Sequence, residues 1–173
     1  IQNEIFAARL KNARVMKGYS MDDLVSAMGN NISKMAISKY EKNQISPNST
    51  VVISLAKALN QPIDYFFRPF TLQIESIKFR KKSSKFSAKQ ENMIKEQIAD
   101  LIERYINIEE ICNASVNFSS PIKNEISNFQ QVKEAAFQLR ENWKIGVDGI
   151  VNVIDLLEEQ GIKVLEIDAP DSF

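Results

Sequence analysis

Residues that start and stop helices recur at short intervals over the first 67 positions, and this punctuation restricts the region to short helices. These residues are Gly18, Ser20, Gly29, Ser33, Pro47 and Pro62. Glycine commonly ends a helix, serine caps a helix start, and proline fits the first turn. Apolar residues fall at helical spacing between these signals. We therefore expect five helices in this region: about 3–16, 20–28, 33–40, 47–59 and 63–67.

The pattern changes after residue 69. Alternating apolar residues over 71–80 predict a strand. Residues 76–90 carry six positive charges and no acid, which fits either an arm that binds a phosphate backbone or a solvated connector. Ser87 and Gln90 have capping-box spacing and open a long helix that runs to about Cys112. Its apolar stripe must be buried against something; the stripe comprises Met93, Ile94, Ile98, Leu101, Ile102, Tyr105 and Ile108.

Two helices and a short strand are expected in the last third of the chain. Residues 114–128 are polar and read as a loop, helices follow at 129–142 and 150–160, and the alternation over 162–167 predicts the strand. The expected fold class is mainly α. A five-helix domain over 1–69 precedes a strand and long helix over 70–113, the loop at 114–128, and a partial α/β domain over 129–173.

Composition excludes several kinds of chemistry. The chain has no histidine and one cysteine, Cys112, so we expect no zinc site, no Ser-His-Asp triad, no catalytic residue and no cofactor. No apolar run approaches the roughly 20 residues of a membrane span, so we expect no membrane contact and a cytoplasmic location. The zero net charge hides an asymmetry. Residues 1–70 hold nine basic and five acidic side chains (+4), whereas residues 113–173 hold five and ten (−5).

Residues 3–67 also resemble the phage-repressor-like (Xre) helix-turn-helix family. The similarity is carried by the segment Arg9–Arg14, Leu24, Gly29, Ile32–Ser33, the segment Ala36–Glu41, Pro47, Leu55–Ala56 and Leu59. It implies a lambda-repressor-like domain that binds double-stranded DNA. The helix Ser33–Tyr40 would enter the major groove.

The resemblance also implies which side chains meet DNA. Lys34, Met35, Ser38 and Lys39 would lie nearest to base edges. Lysine can donate to guanine, whereas methionine offers only apolar contact, for instance with a thymine methyl. Four others would contact phosphates: Ser33, Lys42, Asn43 and Gln44.

Two more positions take structural roles from the same resemblance, and one of the phosphate contacts has a second feature. Arg14 and Glu41 would form a partly buried ion pair that joins the third helix to the first. Asn43 replaces a common glycine, which suits a left-handed backbone position because asparagine tolerates positive φ.

Residues 132–167 resemble the opening of the ImmA/IrrE-type zinc metallopeptidases. The similarity lies in Glu134–Ala136, Leu139–Arg140, Trp143, Gly146, Ile150, Leu156–Glu158, Gly161–Ile162 and Val164. In that family catalysis depends on a His-Glu-x-x-His helix further downstream, which these 173 residues lack. We expect either a longer parent chain or a protein that has lost the catalytic half.

These features predict a sequence-specific, dimeric DNA-binding repressor. One short recognition helix reads few base pairs, so such modules usually pair on two half-sites. Dimer contacts could come from the fifth helix, with Tyr65, Phe66 and Phe67, or from the helix at 88–112. Two alternatives remain open: a DNA-targeted zinc endopeptidase, or an antitoxin whose acidic second half binds a partner protein.

Overall fold

The computed structural model describes residues 2–71, 87–123 and 125–167, and this part of the chain is helical with no strand. The described residues form seven α-helices and one 3₁₀ helix: α1 Gln2–Met16, α2 Met21–Ala27, α3 Lys34–Glu41, α4 Ser49–Leu59, the 3₁₀ helix Ile63–Phe67, α5 Ala88–Cys112, α6 Phe129–Asn142 and α7 Val153–Glu159. The chain divides into two compact units. The first comprises Ile1–Arg104 with Ile167–Phe173, and the second comprises Tyr105–Glu166.

Side-chain caps determine where the early helices begin. The hydroxyl of Ser20 accepts from the amide of Asp23 (3.1 Å), and the Asp23 carboxylate accepts from the amide of Ser20 (2.7 Å), which makes a reciprocal capping box. Ser33 caps α3 by accepting from the amide of Ala36, and Asn48 caps α4. Each cap satisfies an amide at the helix start that has no partner within the helix. The predicted caps Ser20 and Ser33 are confirmed, whereas α4 begins at Ser49 rather than at residue 47.

The core of the first unit lies where α1 to α4 meet the 3₁₀ helix. Several of its side chains have no exposed surface: Leu10, Leu24, Ile37, Leu55, Leu59 and Phe66. Tyr65 packs edge-on against Phe66, with ring centroids 5.4 Å apart, and burial raises the pKa of Tyr65 to about 12. The predicted fifth helix is therefore a single 3₁₀ segment whose Tyr65 and Phe66 are core residues. Only Phe67 of the three suggested dimer residues lies at the surface.

A buried ion pair attaches α5 to α1. Both terminal nitrogens of the Arg9 guanidinium donate to the carboxylate of Glu103 at 2.6 Å. The same guanidinium donates to the carbonyls of Arg68 (2.9 Å) and Pro69 (2.7 Å) and lies 3.9 Å from the centroid of the Phe70 ring. Arg9 is only 2% exposed. Because its donors are satisfied on two sides, the charge can remain buried.

Glu103 is held in its ionised form by the same contacts. Burial alone would raise the pKa of Glu103, but the hydrogen bonds from Arg9 and from the Thr71 amide outweigh burial and hold it below its usual 4.5. Other contacts fix the first half of α5 nearby. The Gln97 side chain donates to the carbonyl of Met16 (3.0 Å), and Ile94 is fully buried. This compact unit thus extends past residue 69, where the sequence predicts a domain boundary.

The second unit contains α6, α7 and the end of α5. Asn128 caps α6 and Asn152 caps α7 through their side-chain oxygens. The predicted bounds of α6 are confirmed, whereas α7 begins at Val153, three residues later than expected. Gly161 ends the segment with φ +82°, and a Cβ there would lie 2.7 Å from the backbone nitrogen of Phe118.

The strand expected over 162–167 is not found, so this prediction was wrong. These residues form no helix or strand, and a strand is defined by a backbone ladder with a neighbour, which no described segment supplies here. The partial α/β domain expected over 129–173 consequently reduces, in its described residues, to two helices and connecting segments. The other expected strand, 71–80, falls outside the described residues except for Thr71.

Candidate nucleic-acid interface

Helix α3 has one face in the core and an opposite face in solvent. Ile37 is fully buried and Tyr40 nearly so. Lys34, Met35 and Lys39 are exposed, with Met35 at 67%, and Ser38 is half-buried. The base-contacting residues suggested by the family resemblance thus share a helix whose other side anchors it. An amphipathic helix of this kind can present its outer face to the major groove.

The turn before α3 fixes how this helix leaves α2. Gly29 has φ +72° and Asn30 has φ +59°, so two consecutive residues adopt left-handed conformations. The Asn31 side chain donates to the carbonyl of Met28 (3.2 Å), and Ile32 packs against the core. The turn is therefore held at its backbone and at its apolar side chain.

Arg14 and Glu41, which the resemblance pairs, form a two-pronged ion pair. Arg14 donates to the two carboxylate oxygens of Glu41 at 2.6 and 2.8 Å, and its remaining terminal nitrogen donates to the carbonyl of Tyr19 at 2.8 Å. The side chains are 12% and 5% exposed. Bidentate pairs with low exposure restrict geometry strongly, so this contact fixes the end of α3 against α1.

The end of α3 leads into the segment expected to contact phosphates. The amide of Asn43 donates to the carbonyl of Tyr40 (3.0 Å), and the amide of Gln44 donates to the carbonyl of Lys39 (2.9 Å). With Asn43 at φ +55°, this is a Schellman motif with asparagine at the left-handed position. The side chains of Lys42, Asn43 and Gln44 are all exposed.

Lys34 has a partner that the sequence pattern does not reveal. Its amine donates to the carboxylate of Asp22, in the first turn of α2, at 2.6 Å. Both side chains are well exposed, at 60% and 67%. The two residues are 12 positions apart and meet only because the turn folds α3 across the start of α2. Nothing in the local spacing signals the contact.

The described residues contain no group of three or more side chains suited to hold a metal ion. Within the same part of the chain, no helix is both long and apolar enough to span a bilayer.

A comparison with protein-family models matches residues 10–66 to the helix-turn-helix family. The match covers about a third of the chain, from Leu10 in α1 to Phe66 in the 3₁₀ helix, and it supports a DNA-binding transcriptional regulator. No curated protein and no solved structure shows significant similarity to the chain. The resemblance of residues 132–167 to the ImmA/IrrE-type metallopeptidases receives no support from these comparisons.

Proposed function

We propose that the chain is a sequence-specific regulator of transcription that binds double-stranded DNA as a dimeric repressor, with α3 as its recognition helix. The observation that carries this proposal is the two-sided character of α3. Its inner face is fixed by Ile37 and Tyr40, while Lys34, Met35 and Lys39 face solvent. The helix-turn-helix match over 10–66 supports it.

The proposed contacts divide into base readers and backbone contacts. Lys34 and Lys39 donate hydrogen bonds to base edges. Met35 makes apolar contact with a base, and Ser38 hydrogen-bonds to a base edge. Base-edge contacts give selectivity. A second set of residues, at the two ends of α3, contacts phosphates and fixes the position of the protein along the DNA. These residues are Ser33, Lys42, Asn43 and Gln44.

Dimerisation follows from the size of the recognition surface. The eight residues of α3 span only about 12 Å, which is too short to read a selective site alone. Two copies on half-sites one helical turn apart would double the contacts. Apolar side chains that stay exposed on α4 and the 3₁₀ helix supply a candidate interface; they are Ile53, Ile63 and Phe67.

The test begins with selection of a binding site from a random duplex library. We expect Lys34→Ala and Lys39→Ala each to weaken the selected site by about 1–3 kcal/mol while binding to unrelated duplexes changes less. Lys42→Ala should weaken all sequences to a similar extent. The measurement is a binding titration at one fixed salt concentration.

Lys11→Ala is the matched control for these lysine variants. Lys11 is an exposed lysine on α1, away from α3 and from the proposed dimer interface. It should leave affinity for the selected site unchanged. Wild-type affinity in both the Lys34 and the Lys39 variants would overturn the assignment of α3.

A second candidate function, an antitoxin, is favoured by one observation. Residues 113–173 carry a net charge of −5, and α6 in this region exposes Phe129 and Phe137. Such a surface suits a basic protein with an apolar patch. The antitoxin hypothesis predicts a stoichiometric basic partner from the native host whose binding is lost in Phe137→Asp. Retained binding in that variant would count against it.

A further inference from the structure

We propose that Lys89, in the first turn of α5, is an additional phosphate-contacting residue on the α2 side of the recognition helix. The proposal rests on the DNA-binding function argued above and extends its contact surface beyond the residues that match the helix-turn-helix family. The basic stretch at 76–90 was open to two interpretations, a phosphate-binding arm or a solvated connector. For Lys89, the cationic residue of this stretch that the structure describes, the proposal favours phosphate binding.

The start of α5 has a fixed position within the first unit. Lys89 and Asn92 line a cavity with the loop that connects α1 to α2, where Tyr19 and Ser20 lie. One turn further along α5, Met93 lies close to Gly18, since a Cβ added to that glycine would be 3.2 Å from the Met93 sulfur. The Arg9–Glu103 pair then holds the same helix to α1. Lys89 is thus carried by an anchored helix, not by a free connector.

The loop that Lys89 faces leads directly into the helix that crosses the DNA backbone in helix-turn-helix complexes. Asp22, in the first turn of that helix, contacts Lys34 at the start of α3. Asp23 follows directly: hydrogen bonds from Ser20 lower its pKa, and the positive charge of Lys89 adds to the effect. The starts of α2, α3 and α5 therefore lie close together.

The position of this lysine complements the proposed contacts at the other end of α3. Lys42, Asn43 and Gln44 follow the last turn of α3, whereas Lys89 lies beside the helix before it. A recognition helix in the major groove has a phosphate strand on each side of it. Lys89 is exposed, so its long side chain can reach a phosphate of the strand next to α2. The neighbourhood of Asp22 and Asp23 would otherwise repel that strand.

The test measures how the affinity for an arbitrary-sequence duplex of about 25 base pairs depends on salt. Each phosphate contact contributes about 0.9 to the slope of log K against log salt concentration, so an operator is not needed. With the full 173-residue chain, Lys89→Ala should reduce the steepness by about 0.9. That is a loss of roughly tenfold in affinity near 0.1 M salt. Lys89→Arg, which keeps the charge, should retain the wild-type slope.

Lys95→Ala is the matched control on the same helix. Lys95 pairs with Glu91 at 2.9 Å, and six residues of helix place it on a different face from Lys89. It should leave the slope unchanged. Equal slopes for the Lys89→Ala, Lys95→Ala and wild-type chains would overturn the proposal for Lys89 alone. A wild-type chain that shows no salt-dependent DNA binding would overturn the proposed function itself.

Thermal unfolding checks that Lys89→Ala leaves the fold intact. An unfolding temperature equal to that of the wild type assigns the loss of slope to DNA binding. A loss of slope that is accompanied by a lowered unfolding temperature would overturn the contact.

Discussion

The two units carry amphipathic helices of similar pattern, but only the first buries most of its apolar faces. In residues 1–104 the helices α1 to α4 close around a continuous core of fourteen buried side chains. In the described part of residues 105–166 the buried apolar side chains are Ala135 and Leu156. Large apolar groups such as Phe137 and Val147 stay exposed there. Apolar patterning therefore predicts where a helix forms, not whether its apolar face finds a partner.

Helix α5 contributes to both units and shows the same contrast along its length. Near its start Ile94 is fully buried, and near its end Ile108 and Ile111 are 61% and 81% exposed. The part of α5 up to Glu103 packs against α1 because the Arg9–Glu103 pair and the Gln97 hydrogen bond attach it there. The first unit therefore owes part of its stability to α5, a helix outside the family match over 10–66.

The largest expected effect is that of Glu103→Ala. Removing this carboxylate leaves the buried Arg9 guanidinium without its counter-charge, and breaking a buried pair from one side costs about 3–5 kcal/mol. We expect the free energy of unfolding of the first unit to fall by that amount. Urea unfolding followed by circular dichroism measures it. Trp143, the single tryptophan, lies in the second unit and reports on that unit separately by fluorescence.

The circular dichroism and Trp143 fluorescence signals should respond differently to Glu103→Ala. The dichroism transition should shift to lower urea, whereas the Trp143 fluorescence transition should stay in place. Lys95→Ala, which removes a half-buried i,i+4 ion pair on α5, should shift neither by more than about 0.5 kcal/mol. A stability unchanged by Glu103→Ala would contradict the view that α5 belongs to the first unit. The double variant Arg9→Met with Glu103→Leu should recover much of the loss, because it leaves no unpaired buried charge.

A smaller effect is expected from truncating one apolar side chain in each unit. Leu55→Ala in α4 removes a fully buried leucine from a continuous core and should cost about 3 kcal/mol through lost burial and the cavity left behind. Phe137→Ala in α6 removes a ring that is 63% exposed and should cost less than about 0.5 kcal/mol. Both are measured by the same urea titrations. Similar costs for the two variants would mean that Phe137 is covered in solution, and the contrast between the units would then fail.

Local chemistry explains what the sequence predicts well. Ser33 caps α3 with its own side chain, and Asn43 tolerates the left-handed conformation that ends the helix. Both effects depend on residues within four positions, so spacing alone identifies them. The outward direction of Met35 follows in the same way, because Ile37 and Tyr40 define the buried face of the helix.

Contacts between distant residues explain most of what it does not predict. Arg9 and Glu103 are 94 positions apart, and arginine and glutamate are rarely buried unless paired, so neither suggests a core contact. The alternation over 162–167 resembles a strand, but a strand needs a neighbour whose presence no local pattern reports. The pair of Lys34 with Asp22 likewise depends on how the turn at Gly29 directs α3.

A small effect on stability is expected for Asp22→Asn, which changes a surface contact of the first unit and leaves its core intact. Both partners of the Lys34–Asp22 pair are well exposed, so its loss should change the free energy of unfolding by at most about 0.5 kcal/mol. DNA affinity should rise by a few-fold instead, because Lys34 no longer has to leave a carboxylate and a repelling charge beside the phosphates is gone. The rise should shrink as salt increases, which a titration at two salt concentrations checks. A fall in affinity would mean that Asp22 orients Lys34 for the groove, and the two residues would then act as one reading unit rather than as a pair that opens on binding.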